Sequence, residues 1–126
     1  MEIILNLLQH HKDKNATLLL EREDAIELRK GLNLDTLDKD DHTYIIEIDD
    51  TVRCISLGFM HYLFRDSCKG KTRREMLRKY KLRYKTPRGH RQMRVEETYK
   101  EILSWMTGGE LWSELSICRT IIESMR

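Results

Sequence analysis

The pattern of apolar and polar positions divides the chain into short elements. Residues 2–8 and 17–20 are apolar runs without a helical stripe, and we interpret them as two strands joined by a turn. Residues 43–48, Thr-Tyr-Ile-Ile-Glu-Ile, are β-branched and aromatic with few breaks, which predicts a central strand after an acidic loop at 35–41. A further strand is expected at residues 80–85.

Helical spacing of apolar residues marks the intervening segments. It predicts helices at residues 22–32, 56–67 and 72–78. Ser56 is suited to cap the second of these helices, because a serine hydroxyl accepts a hydrogen bond from a free amide of the first turn. Gly31 and Asn33 predict the end of the first helix.

The last quarter of the chain predicts a helical hairpin. Residues 95–106 carry an amphipathic stripe, Gly108 and Gly109 break it, and residues 111–125 carry a second stripe. The hairpin must bury this apolar surface against the sheet or against a second copy of the chain. Because the second stripe runs close to a heptad, a homodimer seam is the alternative to core packing.

This order of elements predicts an α/β (α+β) fold, with a small mixed β-sheet packed by helices. The 126 residues are enough for one domain with its own core. No apolar run approaches the ~20 residues that span a bilayer, and no secretory signal is evident, so we expect a cytoplasmic protein without membrane contact. Three cysteines, Cys54, Cys68 and Cys118, are an odd set and predict buried, reduced thiols.

Charge is divided unevenly along the chain, although the net charge is only +2. Residues 1–50 hold 6 Lys or Arg against 13 Asp or Glu, whereas residues 51–94 hold 14 against 2. We call residues 69–94 the basic segment. Its candidate binding residues are Lys69, Lys71, Arg73, Arg74, Arg78, Lys79, Lys81, Arg83, Arg88 and Arg91.

Two arrangements satisfy such a concentration of cations. In the first, the acidic first third folds back over the basic segment, and the two fields largely cancel. In the second, the segment is an open surface for nucleic acid or for an acidic protein, with Tyr80 and Tyr84 as stacking platforms for bases. The sequence leaves both arrangements open, and no RNA-reading or DNA-reading motif accompanies the cations.

Three segments carry a resemblance to a known family. They are Arg-Glu-Asp-Ala-Ile-Glu-Leu from Arg22, Ile-Glu-Ile-Asp-Asp-Thr-Val from Ile46, and Ile-Ser-Leu-Gly-Phe from Ile55 with the later Leu63-Phe64. Together they resemble the STAS-like domains of unknown function, over roughly residues 16–85. Residues 1–90 would then be the STAS-like core, and residues 95–126 the appended hairpin of the same domain.

The resemblance implies a regulatory role. STAS-type domains generally bind partner proteins, often histidine-kinase-like ATPases or anti-sigma factors, and are seldom enzymes. In the antagonists of this group, the second serine of a Ser-Ser-Gly stretch at a helix start is phosphorylated. Ser56 is the candidate regulatory phosphosite here, but Leu57 stands at the usual acceptor position. The sequence therefore favours Ser56 as a structural cap.

Motifs for catalysis and for metal binding are incomplete. The segment from Cys54 to Gly58 lacks the first glycine of a nucleophile elbow, and Gly70-Lys71-Thr72 lacks the first glycine of a phosphate loop. Histidines and cysteines do not form the pairs that hold zinc. Asp49 and Asp50 follow the central strand, where we expect them to cap a turn or pair with a cation such as Arg53. We therefore expect no enzyme, cofactor or metal.

These observations favour a regulatory protein-binding module. We expect the helix at 56–67 and the basic segment to dock on the acidic surface of a partner, such as an ATPase or a nucleic-acid enzyme. One alternative is a nucleic-acid-binding protein that uses residues 69–94. Another is a small virus-encoded inhibitor of a host nucleic-acid enzyme.

Overall fold

A three-stranded parallel sheet forms the centre of the molecule. The computed structural model describes residues 2–87 and 89–107. In spatial order, the strands of this sheet are β1 (Glu2–Asn6), β3 (Thr43–Ile48) and β5 (Tyr80–Tyr84). A second parallel pair consists of β2 (Leu18–Leu19) and β4 (Cys54–Ile55).

The described helices connect or follow these strands. They are α1 (Arg22–Leu32), α2 (Leu34–Leu37), α3 (Leu57–Phe64), α4 (Arg73–Lys79) and α5 (Gly89–Thr107), and a 3-10 turn covers Leu8–His10. The α/β class predicted from the sequence is confirmed, and β3 is the central strand as expected. The predicted helix at 111–125 lies outside the described residues.

The two faces of the three-stranded sheet differ in composition. The register of the three strands aligns their alternating side chains on two faces. One face carries Ile3, Leu5, Tyr44, Ile46, Ile48, Tyr80, Leu82 and Tyr84. This helix face is apolar and packs into the core. The other face, which we call the open face, carries Glu2, Ile4, Asn6, Thr43, Ile45, Glu47, Lys81 and Arg83.

Capping residues define the helix boundaries as the sequence indicates. Asn33 ends α1 in the left-handed conformation, with φ of 60°. The Ser56 hydroxyl accepts a hydrogen bond from the Phe59 amide at 3.0 Å, which confirms Ser56 as the cap of α3. Thr72 and Glu75 form a capping box at the start of α4.

Several elements differ from the sequence-based expectation. The apolar runs 2–8 and 17–20 enter separate sheets, and every strand pairing among the described residues is parallel, whereas we expected a mixed sheet. The acidic loop contains a helical turn at Leu34–Leu37, where the buried Leu34 docks the turn on the core. Helix α5 begins at Gly89 instead of residue 95, because the loop that contains Pro87 is shorter than expected.

Helix α5 covers the outer edge of β5. The Gln92 amide donates to the Leu82 carbonyl at 3.0 Å, and its oxygen accepts from the Tyr84 amide at 2.9 Å. The Tyr99 hydroxyl donates to the Tyr80 carbonyl at 3.0 Å. These side chains satisfy the backbone groups that an edge strand would otherwise offer to another chain.

A buried arginine joins α1 to the acidic loop and to α3. Arg29 is only 6% exposed, and its guanidinium donates to the carboxylates of Asp35 at 2.7 Å and Asp38 at 2.8 Å. It also donates to the Leu63 carbonyl at 2.9 Å and to the Ser67 hydroxyl at 2.7 Å. Burial opposes the charged guanidinium, but the two carboxylates outweigh it and raise the pKa of Arg29.

Replacement of this arginine tests how much its hydrogen bonds and ion pairs contribute to the free energy of unfolding. In Arg29→Met, Asp38, whose side chain is only 12% exposed, loses its buried cation, so we expect a loss of about 3–5 kcal/mol in the free energy of unfolding. Urea denaturation followed by circular dichroism measures this loss. Lys30→Met, at the exposed neighbouring position of α1, is the matched control and should change stability by less than about 0.5 kcal/mol. Equal effects of the two substitutions would contradict the role given to Arg29.

Gly31 lies where α1 approaches the 3-10 turn. A methyl group at this position would meet the carbonyl oxygen of His10 at 2.9 Å. Replacement of glycine by alanine inside a helix normally stabilises it by about 1 kcal/mol. Here we expect Gly31→Ala to lower the melting temperature instead, because backbone atoms must move apart. An increase in the melting temperature would show that the two elements separate without cost.

Candidate functional site

The structure divides the basic segment into groups at different places on the molecule. Residues 69–79 lie in the turn before α4 and in α4 itself, at the amino end of β5. Lys81 and Arg83 lie on the open face. Lys85, Arg91 and Arg94 follow the carboxyl end of β5. Arg88 lies outside the described residues. The segment is therefore not one continuous surface.

Acids from the first fifty residues neutralise several of these cations. The ion pairs are Asp40 with Lys79 at 2.9 Å, Glu2 with Lys81 at 3.4 Å, Asp49 with Lys85 at 3.5 Å, and Asp50 with Arg91 at 3.2 Å. Lys69 pairs locally with Asp66 at 3.2 Å. The four pairs with residues 1–50 correspond to the first arrangement considered from the sequence, in which these acids fold back over the basic segment.

Lys79 was expected on the binding surface, but it is buried. Its ammonium group donates to the carbonyl of Asp40 at 2.6 Å, to the carboxylate of Asp40, and to the carbonyl of His42 at 3.3 Å. Burial alone would raise the pKa of Asp40. The hydrogen bond from Tyr44 and the charge of Lys79 outweigh burial and lower that pKa to about 2.

The two tyrosines expected as stacking platforms are also buried. Tyr80 is 0% exposed and Tyr84 2% exposed. The Tyr80 hydroxyl donates to Asp38, and burial and this hydrogen bond raise the pKa of Tyr80. The Tyr84 hydroxyl donates to the Val52 carbonyl at 3.0 Å. Because both rings belong to the core, the expectation that they stack on bases is wrong.

The remaining exposed cations lie mainly on α4. Within residues 2–87 and 89–107, no carboxylate forms an ion pair with Arg73, Arg74, Arg78, Arg83 or Arg94. Lys71 donates to the Ser67 carbonyl at 3.3 Å. Hydrogen bonds from Thr72, together with the charges of Arg78 and Lys71, lower the pKa of Glu75, so α4 presents one acid among its cations.

Helix α3 exposes mainly its first turn, and His61 and Tyr62 further along are partly exposed. Its apolar residues Phe59, Met60, Leu63 and Phe64 are buried, since the helix packs between α1 and α5. Leu57, in the first turn, is 38% exposed. Among the apolar residues of α3, Leu57 is therefore the most accessible to a partner.

That first turn lies beside three arginines. A cavity of about 150 Å³, which we call the arginine cavity, is lined by Arg53, Cys54, Ile55, Leu57, Tyr84, Arg91, Arg94, Val95 and Thr98. Arg91 lies over the Tyr84 ring, with 4.4 Å from its guanidinium carbon to the ring centroid. The same side chain donates to the Asp50 carbonyl at 2.6 Å. Arg91 is therefore held in place from two sides.

The edge of the arginine cavity is apolar. Cys54 is exposed, which corrects the expectation of a buried thiol, whereas Cys68 is buried as expected. Leu18 pairs in register with Cys54 and is 53% exposed. Cys118 lies outside the described residues. The short β2–β4 pair thus places exposed apolar side chains beside exposed arginines.

The acidic pair after the central strand has partners other than Arg53. Asp49 accepts from the Asn6 amide at 2.9 Å, in addition to its ion pair with Lys85. Asp50 accepts from the amide and the hydroxyl of Thr86, and these hydrogen bonds lower the pKa of Asp50. Both carboxylates therefore close the loops at the carboxyl ends of the strands.

Arg53 and Arg94 were missing from the residues expected at the site. Arg53 lies before the basic segment, and Arg94 lies at its end. They meet because β4 pairs with β2 and α5 begins early. The three leucines at 18–20 predicted a strand, but a two-residue strand gives no periodic signal in sequence, so nothing there indicated that β4 is its partner.

Comparison with protein-family models, curated proteins and solved structures finds no match to this chain. Within residues 2–87 and 89–107, no helix has the length and apolar character needed to cross a membrane. Nor do three His, Cys, Asp or Glu side chains converge there as ligands for a metal ion.

The low pKa of Asp40 predicts a specific pH dependence. A carboxyl group whose folded pKa lies below its unfolded value contributes stability above the unfolded value and loses that contribution as pH falls. For Asp40 the loss falls between about pH 4 and the folded pKa of about 2. Urea denaturation at several pH values should show that Asp40→Asn is destabilised at pH 6 and that the difference disappears near pH 2. A difference independent of pH would contradict the ion pair with Lys79.

Proposed function

We propose that this protein is a non-enzymatic regulatory module that binds an acidic segment of a partner protein at the arginine cavity. The observation that carries the proposal is the meeting of Arg53, Arg91 and Arg94 around an apolar cavity beside the first turn of α3. The cavity joins the two regions expected to dock, α3 and the basic segment, at one place.

The arginines suit carboxylates. A guanidinium group can form two parallel hydrogen bonds to one carboxylate, so it recognises acidic side chains with defined geometry. Arg91 is already oriented by Asp50 and Tyr84, which lowers the entropy lost on binding. Arg53 and Arg94 are exposed, and no ion pair joins either to the described residues.

The size of the arginine cavity favours a peptide over a free small molecule. About 150 Å³ is below the roughly 300–1,000 Å³ of typical small-molecule pockets. It suits one apolar side chain, with Leu57 and Leu18 at the edge to extend the apolar contact. The expected motif is therefore an apolar residue flanked by Asp or Glu.

A protein partner also agrees with the rest of the charge distribution. Acids of residues 1–50 pair with four cations of the basic segment, and both candidate stacking tyrosines are buried. A continuous phosphate-binding groove would instead need unpaired cations, because it is the free cations that contact the phosphates. The resemblance to STAS-like domains points the same way, because these domains generally bind proteins.

Peptide binding tests the proposal. The probe is a fluorescein-labelled peptide with a central leucine flanked by aspartates and glutamates, titrated with the full chain and followed by anisotropy. We expect the double variant Arg53→Glu/Arg94→Glu to weaken binding by at least about tenfold, equivalent to about 1.4 kcal/mol. The matched control is Arg73→Glu/Arg74→Glu, which makes the same change of charge on α4.

The control separates a site from general attraction. If the arginine cavity is the site, the α4 variant should change the dissociation constant by less than about threefold under near-physiological salt. Leu57→Asp should weaken binding as strongly as the arginine variant. Equal losses in both arginine variants, with no effect of Leu57→Asp, would show nonspecific charge attraction and overturn the proposal.

A further inference from the structure

A buried histidine after the 3-10 turn has a ring nitrogen without a partner. His11 is 4% exposed, and its Nδ1 lies 3.0 Å from both the amide nitrogen and the carbonyl oxygen of Asp13. The amide always carries its hydrogen, so Nδ1 accepts from it and the proton of the neutral ring is on Nε2. Nε2 has no hydrogen-bond partner among the described residues. Because a buried donor without an acceptor costs free energy, a ligand that supplies an acceptor gains affinity here.

The same histidine lines a cavity between its loop and α1. This cavity, which we call the His11 cavity, has a volume of about 300 Å³. Lys12 and Lys14 line it from the loop, and Asp24 and Glu27 line it from α1. The formal charges of these four residues cancel. The volume reaches the lower end of the roughly 300–1,000 Å³ of typical small-molecule sites.

Contacts within the protein occupy only part of this polar lining. Asp24 pairs with Lys12 at 2.9 Å, and Lys14 donates to two carbonyl oxygens of its own loop at 2.7 Å each, which fixes the loop. In the part of the chain that the structure describes, no cation forms an ion pair with Glu27 and no carboxylate forms one with Lys14. The lining therefore combines an unpaired carboxylate with the unpaired N–H of His11.

We propose that the His11 cavity binds a small free amino acid as a zwitterion. The carboxylate of the ligand accepts from Nε2 of His11 beside the ammonium group of Lys14, and the ammonium group of the ligand donates to Glu27. Because the charges of the lining cancel, a ligand without net charge fits better than a simple anion or a simple amine. Among the described residues of the lining, only Leu28 is apolar, which favours a small polar side chain such as that of serine.

This site is separate from the proposed peptide site. The described residues that line the His11 cavity and those that line the arginine cavity have no member in common. Amino-acid binding would give the regulatory module a small-molecule input in addition to its protein partner. Since each site is measured with its own ligand, either proposal can fail alone.

Calorimetric titration of the full chain with L-serine tests the inference. We expect saturable binding at one site per chain. N-acetyl-L-serine lacks the ammonium group and ethanolamine lacks the carboxylate, so each should bind at least about tenfold more weakly than L-serine. Equal affinity for either analogue would show a simple anion site or a simple amine site and overturn the proposal. An absence of saturable binding at millimolar L-serine would overturn it as well.

A pair of variants on α1 tests the location of the site. Glu27 and Glu23 are both exposed, but only Glu27 lines the His11 cavity. We expect Glu27→Gln to raise the dissociation constant for L-serine at least about tenfold, and Glu23→Gln to change it by less than about threefold. Nitrogen–proton NMR correlation of the histidine rings should show that L-serine shifts the Nε2 resonance of His11. Equal effects of the two substitutions, or an unshifted His11 ring, would place any binding elsewhere and contradict the proposal.

Discussion

Two buried cations, Arg29 and Lys79, hold the acidic loop between α1 and β3 against the rest of the molecule. Arg29 binds Asp35 and Asp38 from α1, and Lys79 binds Asp40 from the end of α4. Tyr80 and Tyr44 donate to the same loop and stack on one another, with ring centroids 5.9 Å apart. Removal of either cation would leave carboxylates without charge compensation, so the packing of α1, α3 and β5 depends on these contacts.

This constraint also determines what remains for function. Acids that pair with the basic segment neutralise several of its cations, and the other cations divide among α4, the open face and the arginine cavity. Within residues 2–87 and 89–107, the group around the arginine cavity lies beside the exposed apolar side chains Leu18 and Leu57. The combination of guanidinium groups with a small apolar cavity is therefore the feature that distinguishes a binding site from a solvated charged helix.

Local patterns predicted much of the fold. The β-branched run at Thr43–Ile48, the cap at Ser56 and the stripe of α1 are encoded within a few residues of each element. The alternation of Tyr80, Leu82 and Tyr84 with Lys81 and Arg83 is typical of a half-buried strand, and it contradicts the expectation that the tyrosines are exposed for stacking. The partners of each cation were not predictable, because charge counts contain no information on which distant strands become neighbours.

Salt-dependent binding of nucleic acid tests the central claim, that acids of residues 1–50 neutralise part of the basic segment and leave no continuous phosphate-binding surface on it. Fluorescence anisotropy of labelled single-stranded and double-stranded DNA and RNA, titrated with the full chain at low and near-physiological salt, measures it. The account predicts weak binding, with a slope of log K against log salt that corresponds to fewer than about two phosphate contacts. Tight binding with a slope for six or more phosphate contacts would contradict it and identify residues 69–94 as an open phosphate-binding surface.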